Sequence, residues 1–186
     1  MVSVPFPNTG GNNNNFKKDF NSESSGLVPP QNIQAEESVL GGILLDPEAI
    51  GRIADIIKPE AFYIGAHKEI YKTALMLHSQ GKPTDLTSMS AWLADNGSLE
   101  KIGGNNKLVE LVENVSSTAS IEQVASLISD KFLRRKLIKS GNEVIQLGFD
   151  QSQATEEVLD KAEQKIFEIS QEKPSKGLTQ AAEILT

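Results

Sequence analysis

Residues 120–147 read SIEQVASLISDKFLRRKLIKSGNEVIQL, with no helix breaker before Gly141. Ser120 followed by Gln123 is a capping-box pattern, in which a serine side chain and a glutamine satisfy the first free N–H groups of a helix. The helix it opens is expected to run to Leu147, longer than the usual three or four turns, with Gly148 as its stop. A short loop leads to Thr155. Beyond it Leu159, Ala162, Ile166 and Ile169 recur at spacings of three, four and three, a heptad seam. Two long helices joined by a short loop form an antiparallel hairpin. Lys173-Pro174 breaks the second helix, and Thr179 begins another.

On the amino-terminal side of this hairpin the sequence reads as a series of shorter helices. Pro29-Pro30 stops any earlier structure, and Asn32 caps a helix carrying Val39, Leu40, Ile43 and Leu44. Gly41-Gly42 falls inside that apolar stripe, where glycine weakens a helix, so it marks the close approach of another helix. Asp46-Pro47-Glu48 is a second start, with proline at the first helical position, and Lys58-Pro59 is its end. A third helix is expected from Gly65 to Gln80 with Gly81 closing it. A fourth is expected from Thr87 to Asn96, and a fifth after Gly103-Gly104 with Leu108, Leu111, Val112 and Val115 on one face. No segment alternates like a strand. The expected fold class is all-α: a compact helical head of about five helices, then a long antiparallel helical hairpin. The expected organisation is a disordered Asn/Ser/Gly-rich tail over 1–28, the head over 29–118 and the hairpin over 119–172. A linker over 173–178 and the start of a further helix over 179–186 follow.

The composition excludes several kinds of chemistry. The 186 residues include no cysteine, which removes disulfides, thiolate zinc sites and cysteine nucleophiles. No apolar run approaches the ~20 residues that span a bilayer, and the amino terminus lacks the basic and apolar segments of a secretory signal. A net charge of −7 disfavours a free-standing binder of duplex DNA. His67 and His78 lie eleven residues apart, about 16 Å along one helix, too far to share a metal. Gly81-Lys82 is followed by Pro83 instead of Ser or Thr, so it is not a phosphate loop. Asp46 and Asp85 read as caps rather than as catalytic acids. No catalytic, cofactor-binding or metal-binding constellation is expected.

The strongest charge feature is the run Lys131, Arg134, Arg135, Lys136 and Lys139. It suits either weak contact with single-stranded nucleic acid or ion pairing within the hairpin, with Lys139 near Glu163 and Lys131 near Glu172. Matched signs across a solvated helix pair favour ion pairing.

The segment Pro30-Gln31-Asn32-Ile33-Gln34-Ala35-Glu36-Glu37-Ser38-Val39-Leu40-Gly41-Gly42 resembles the opening signature of the DnaB-type replicative DNA helicases. The resemblance continues through Phe62-Tyr63, His67, Ile70, Pro83, Asp85, Gly103-Gly104, Ala119, Arg134 and Gly148-Phe149-Asp150, and spans about residues 29–170. Val124 departs from it, standing where the family often has tyrosine. The resemblance implies the amino-terminal domain of a hexameric helicase. A RecA-like ATPase domain, with its ATP, Mg and arginine finger, would lie beyond this sequence, so no ATP hydrolysis or unwinding is expected of the 186 residues alone. In such helicases this domain pairs through its hairpins. Three dimers form a collar on the ring, and the collar is a docking platform for primase. A helicase loader and single-stranded DNA are further partners of the parent protein, and no membrane is involved. The implied location is the cytoplasm, at the replication fork, or an organelle stroma of bacterial descent.

The residues expected to mediate self-association are hairpin positions whose apolar character exceeds what one hairpin buries: Ile138, Val144, Ile145, Leu159, Ile166 and Phe167. A stand-alone helical adaptor without a motor is the competing reading. A small enzyme is a weaker one, since no constellation supports it.

Overall fold

Asn32 turns the chain into its first helix by accepting the Ala35 N–H on its side chain at 3.0 Å. The computed structural model describes residues 27–115 and 120–171. Among them are seven α-helices and no strand: α1 Ile33–Leu45, α2 Ala49–Ile53, α3 Gly65–Ser79, α4 Leu86–Asp95, α5 Gly104–Glu113, α6 Ile121–Phe149 and α7 Thr155–Gln171. Short 3-10 turns at Pro59–Ala61 and Glu100–Ile102 were not expected from the sequence. The tail before Leu27, the Lys173-Pro174 break, the linker and the helix from Thr179 lie outside the described residues.

α1 is the central helix, packed against α3, α5 and α6. Its Val39, Leu40, Ile43 and Leu44 are buried with Ile50, Ile53, Ile70, Tyr71, Leu77, Met89, Leu93, Leu108 and Leu111 in one core. The glycine pair does what its place in the stripe requires. A Cβ at Gly41 would lie 2.2 Å from the Leu111 carbonyl oxygen and 2.4 Å from Val115 Cγ2, so the backbones of α1 and α5 meet there without a side chain between them. Two buried hydroxyls are bonded to the backbone: Tyr71 donates to the Ile57 carbonyl at 3.1 Å and Thr84 to that of Ile43 at 3.1 Å. α3 closes on Gly81, at φ +67°, with Gly81 and Lys82 donating to the carbonyls of His78 and Leu77.

Four local expectations need correction. Asp46 accepts the Glu48 N–H, but Pro47 and Glu48 form a turn and α2 begins only at Ala49. α2 also ends at Ile53, and turns carry the chain on to Ile57. The capping box is not formed: Ser120 makes no side-chain cap and its hydroxyl bonds the Glu122 carboxylate instead. Gly148 is not a stop, since α6 continues through it to Phe149. Nothing lies within 4 Å of a Cβ at Gly141 or Gly148, so neither glycine marks a close approach of another element among the described residues.

α6 serves two masters. Its first turns, with Ala125, Ile128 and Ser129 buried, complete the head core against α1 and α2. Its later turns pack along α7, which is joined to it by the short turn after Asp150.

Candidate interaction surface

The junction of head and hairpin is built around two charged side chains. Glu36, 1% exposed, accepts the Tyr63 and Ile64 N–H groups at 2.7 and 3.3 Å, and its carboxylate lies 2.9 Å from Nδ1 of the buried His67. This fixes the first turn of α3 to α1, and His67 is a structural residue. Across from it Arg135 of α6 donates to the Pro30 carbonyl at 2.7 Å and to the Ala61 carbonyl at 2.5 Å. Its guanidinium lies over the rings of Tyr63 and Phe132, at 5.5 and 5.8 Å from their centroids. Burial pushes the Arg135 guanidinium below its ordinary pKa, with the charges of Glu36 and Tyr63 opposing. Arg135 is thus a clasp between the hairpin and the head, and not part of a solvent-facing stripe.

The other cations of that run keep local company. Arg134 pairs with Asp130 one turn back at 2.9 Å, and Lys139 lies 3.9 Å from Glu143 one turn on. Lys139 therefore finds its acid along α6 instead of across the hairpin at Glu163. The pairing of Lys131 with Glu172 lies outside the described residues. Among the described residues Lys165 makes a cross-hairpin ion pair with Glu143 at 2.7 Å. The Lys165 ammonium holds the Glu143 carboxyl below its usual range, and Glu143 raises Lys165 in turn.

The apolar seam of α7 is rotated from the one expected. Val158, Ala162, Lys165 and Ile169 are its half-buried positions, whereas Leu159 is 58% and Ile166 46% exposed. Phe167, beside them, is 62% exposed. On α6, Leu133, Ser140, Val144 and Leu147 are half-buried. Ile138 and Ile145 are exposed, and so are Leu127, Leu137 and Phe149. At 3.6 residues per turn, Ile138, Ile145 and Phe149 fall on the side of α6 away from Ser140, Val144 and Leu147. Of the six positions singled out in the sequence, five stand in solvent and Val144 is half-buried against the partner helix. Leu127, Leu137 and Phe149 were missed. The signal for two of them was available: Leu127, Arg134, Ile138, Ile145 and Phe149 recur at spacings of seven, four, seven and four, one continuous stripe.

Among the described residues no group of three His, Asp or Glu side chains is placed to hold a metal. None of the described helices is long and apolar enough to cross a membrane. The fold is an all-α domain, a five-helix head carrying an antiparallel helix pair with large apolar side chains turned outward.

The chain belongs to the family of DnaB-like helicase N-terminal domains, whose pattern matches residues 28–130. It is 53% identical over 166 residues to the replicative DNA helicase DnaB of Nostoc sp., which covers 89% of this chain but only 19% of that protein. The chain therefore spans about a fifth of the length of this relative. The crystal structure of the N-terminal domain of DnaB helicase from Mycobacterium tuberculosis superposes with a TM-score of 0.72 at 36% identity, covering 76% of this chain and 99% of that one. A second neighbour is a DnaB-like replicative helicase described together with its interactions with primase. It has a TM-score of 0.64 and 31% identity, covering 75% of this chain and 31% of its own.

Proposed function

We propose that this domain is the assembly and primase-docking part of a hexameric replicative DNA helicase that unwinds duplex DNA at the fork using ATP. The head over 29–118 and the hairpin over 119–172 act as one non-catalytic unit, and ATP and Mg are handled by a separate RecA-like domain of the parent protein. The observation that carries the reading is the row of large apolar side chains left in solvent on both hairpin helices, with Phe167 the most exposed of them. A surface of this kind marks an interaction site. Two hairpins pressed together through Ile138, Ile145, Leu159, Ile166 and Phe167 would bury it as a helix bundle, and three such dimers make a collar.

Primase is the partner favoured for that collar, because one structural neighbour is a DnaB-like helicase described with its primase interactions. A loader and single-stranded DNA belong to the parent protein, in the cytoplasm or in an organelle stroma of bacterial descent. The net charge of −7 favours weak DNA contact by this domain alone. The test is titration of the cognate primase's helicase-interaction domain into the wild-type chain and into Phe167→Asp. Binding that weakens in the variant supports a site formed between paired hairpins. Equal affinity shows that one protomer suffices, and no binding to either leaves an assembly collar without primase docking.

A further inference from the structure

A groove of about 450 Å3 runs between the Pro59–Ala61 turn of the head and α6. It is lined by Lys58, Phe132, Arg135, Lys136 and Lys139 and by one acid, Glu60. That acid is directed elsewhere: Glu60 lies 3.9 Å from Lys68 of α3. Lys58 is exposed, and the Lys139 side chain is 79% exposed with its nearest acid at the long distance of 3.9 Å. The groove is a local concentration of positive charge on a chain whose net charge is −7. Arg135 ties its two walls together through the Pro30 and Ala61 carbonyls.

From this charge and shape we infer that the groove is a docking site for an acidic peptide segment of a partner protein, separate from the apolar faces of the hairpin. Two features favour a peptide over single-stranded nucleic acid. Grooves for single strands depend on bases stacking on open aromatic faces. Here the Lys136 ammonium and the Arg135 guanidinium already stand over the Phe132 ring, at 5.1 and 5.8 Å from its centroid. A polyphosphate strand also has to continue beyond the groove along a chain whose net charge is −7, which disfavours it. A short acidic segment ends where the cations end. Its carboxylates would meet Lys58 and Lys139 at the two rims, and an apolar side chain between them would lie along the lysine stems.

The experiment is fluorescence anisotropy on the full 186-residue chain with a fluorescein-labelled peptide of Asp, Glu and Leu. Its Asn/Gln counterpart and a labelled oligothymidine serve as the other arms. The acidic peptide is expected to bind and to weaken as salt rises, and the Asn/Gln peptide to bind far less. The double variant Lys58→Glu/Lys139→Glu should lower the affinity roughly five- to tenfold, as loss and reversal of two rim contacts does. Lys58→Ala/Lys139→Ala should lower it in the same direction, guarding against a folding defect in the reversal. Lys101→Glu, an exposed change of equal sign elsewhere on the head, and Phe167→Asp on α7 should leave it close to wild type. Equal loss in Lys101→Glu would reduce the effect to net charge and overturn the site. So would acidic-peptide binding that survives both lysine pairs, or oligothymidine binding more tightly than the peptide and depending on the same lysines.

Discussion

At Gly41 a single hydrogen atom is all the space that α5 leaves. Alanine there would drive its Cβ into the Leu111 carbonyl oxygen, and the helices would have to part around a close-packed core. Gly41→Ala should cost about 1–3 kcal/mol. Gly141→Ala, at a point of α6 where nothing lies within 4 Å of an added Cβ, should gain up to about 1 kcal/mol from helix propensity. Urea denaturation of both variants checks the pair. Arg135 is the second residue on which much depends. Its fork holds two carbonyls at once, a geometry that a single ammonium cannot reproduce, so Arg135→Lys should cost about 1–2 kcal/mol in the same assay. The two residues differ in how far the sequence disclosed them. Gly41 was legible because a glycine pair inside an apolar helical stripe weakens the helix and is tolerated where a neighbouring backbone needs the room. The role of Arg135 was not, because its partners lie 105 and 74 residues away, and in the sequence it is one more cation in a row of five.

The helices themselves were legible wherever a cap and a period coincide. Asp85 shows why. Its side chain accepts the Ser88 N–H at 2.9 Å and opens α4 as expected. The backbone N–H of Ser88 holds the Asp85 carboxyl below its ordinary value of 3.8. A depressed folded-state value means that the stabilisation is present above the unfolded value and lost as pH falls through the folded one. Asp85→Ala should therefore cost about 1 kcal/mol at neutral pH, and the gap to wild type should close as pH drops below 3.8. Thermal melts across that range measure it. The capping box at Ser120 failed because Glu122, two residues on, captured the hydroxyl, a competition that pattern alone does not rank. The seam of α7 was misread by part of a turn for a similar reason. Leu159 and Ile166 are the larger side chains and suggested the inner face, but Lys165 occupies that face to reach Glu143, which turns the leucine and isoleucine outward.

Over the whole molecule, the head buries most of its large apolar side chains, with Leu45 and Val109 among the exceptions, and the hairpin does not. Tyr71, Leu40, Ile50 and Leu93 are all but inaccessible in the head core, while no residue of α7 is buried. The sequence identified the excess because the hairpin carries more large apolar side chains than one helix–helix contact covers. It left Leu159 and Ile166 in both the seam and the surplus, since which of the two they join depends on the rotation of α7 about its own axis. Self-association through these faces is the central claim, and sedimentation equilibrium of the chain across a concentration series into the low-micromolar range tests it most directly. The wild-type chain should have the mass of a dimer or larger. Phe167→Asp, which places a charge on the most exposed apolar side chain of α7, should shift it to the monomer with helix content unchanged. A wild-type chain that stays monomeric throughout, or a variant that keeps the wild-type mass, would contradict the account.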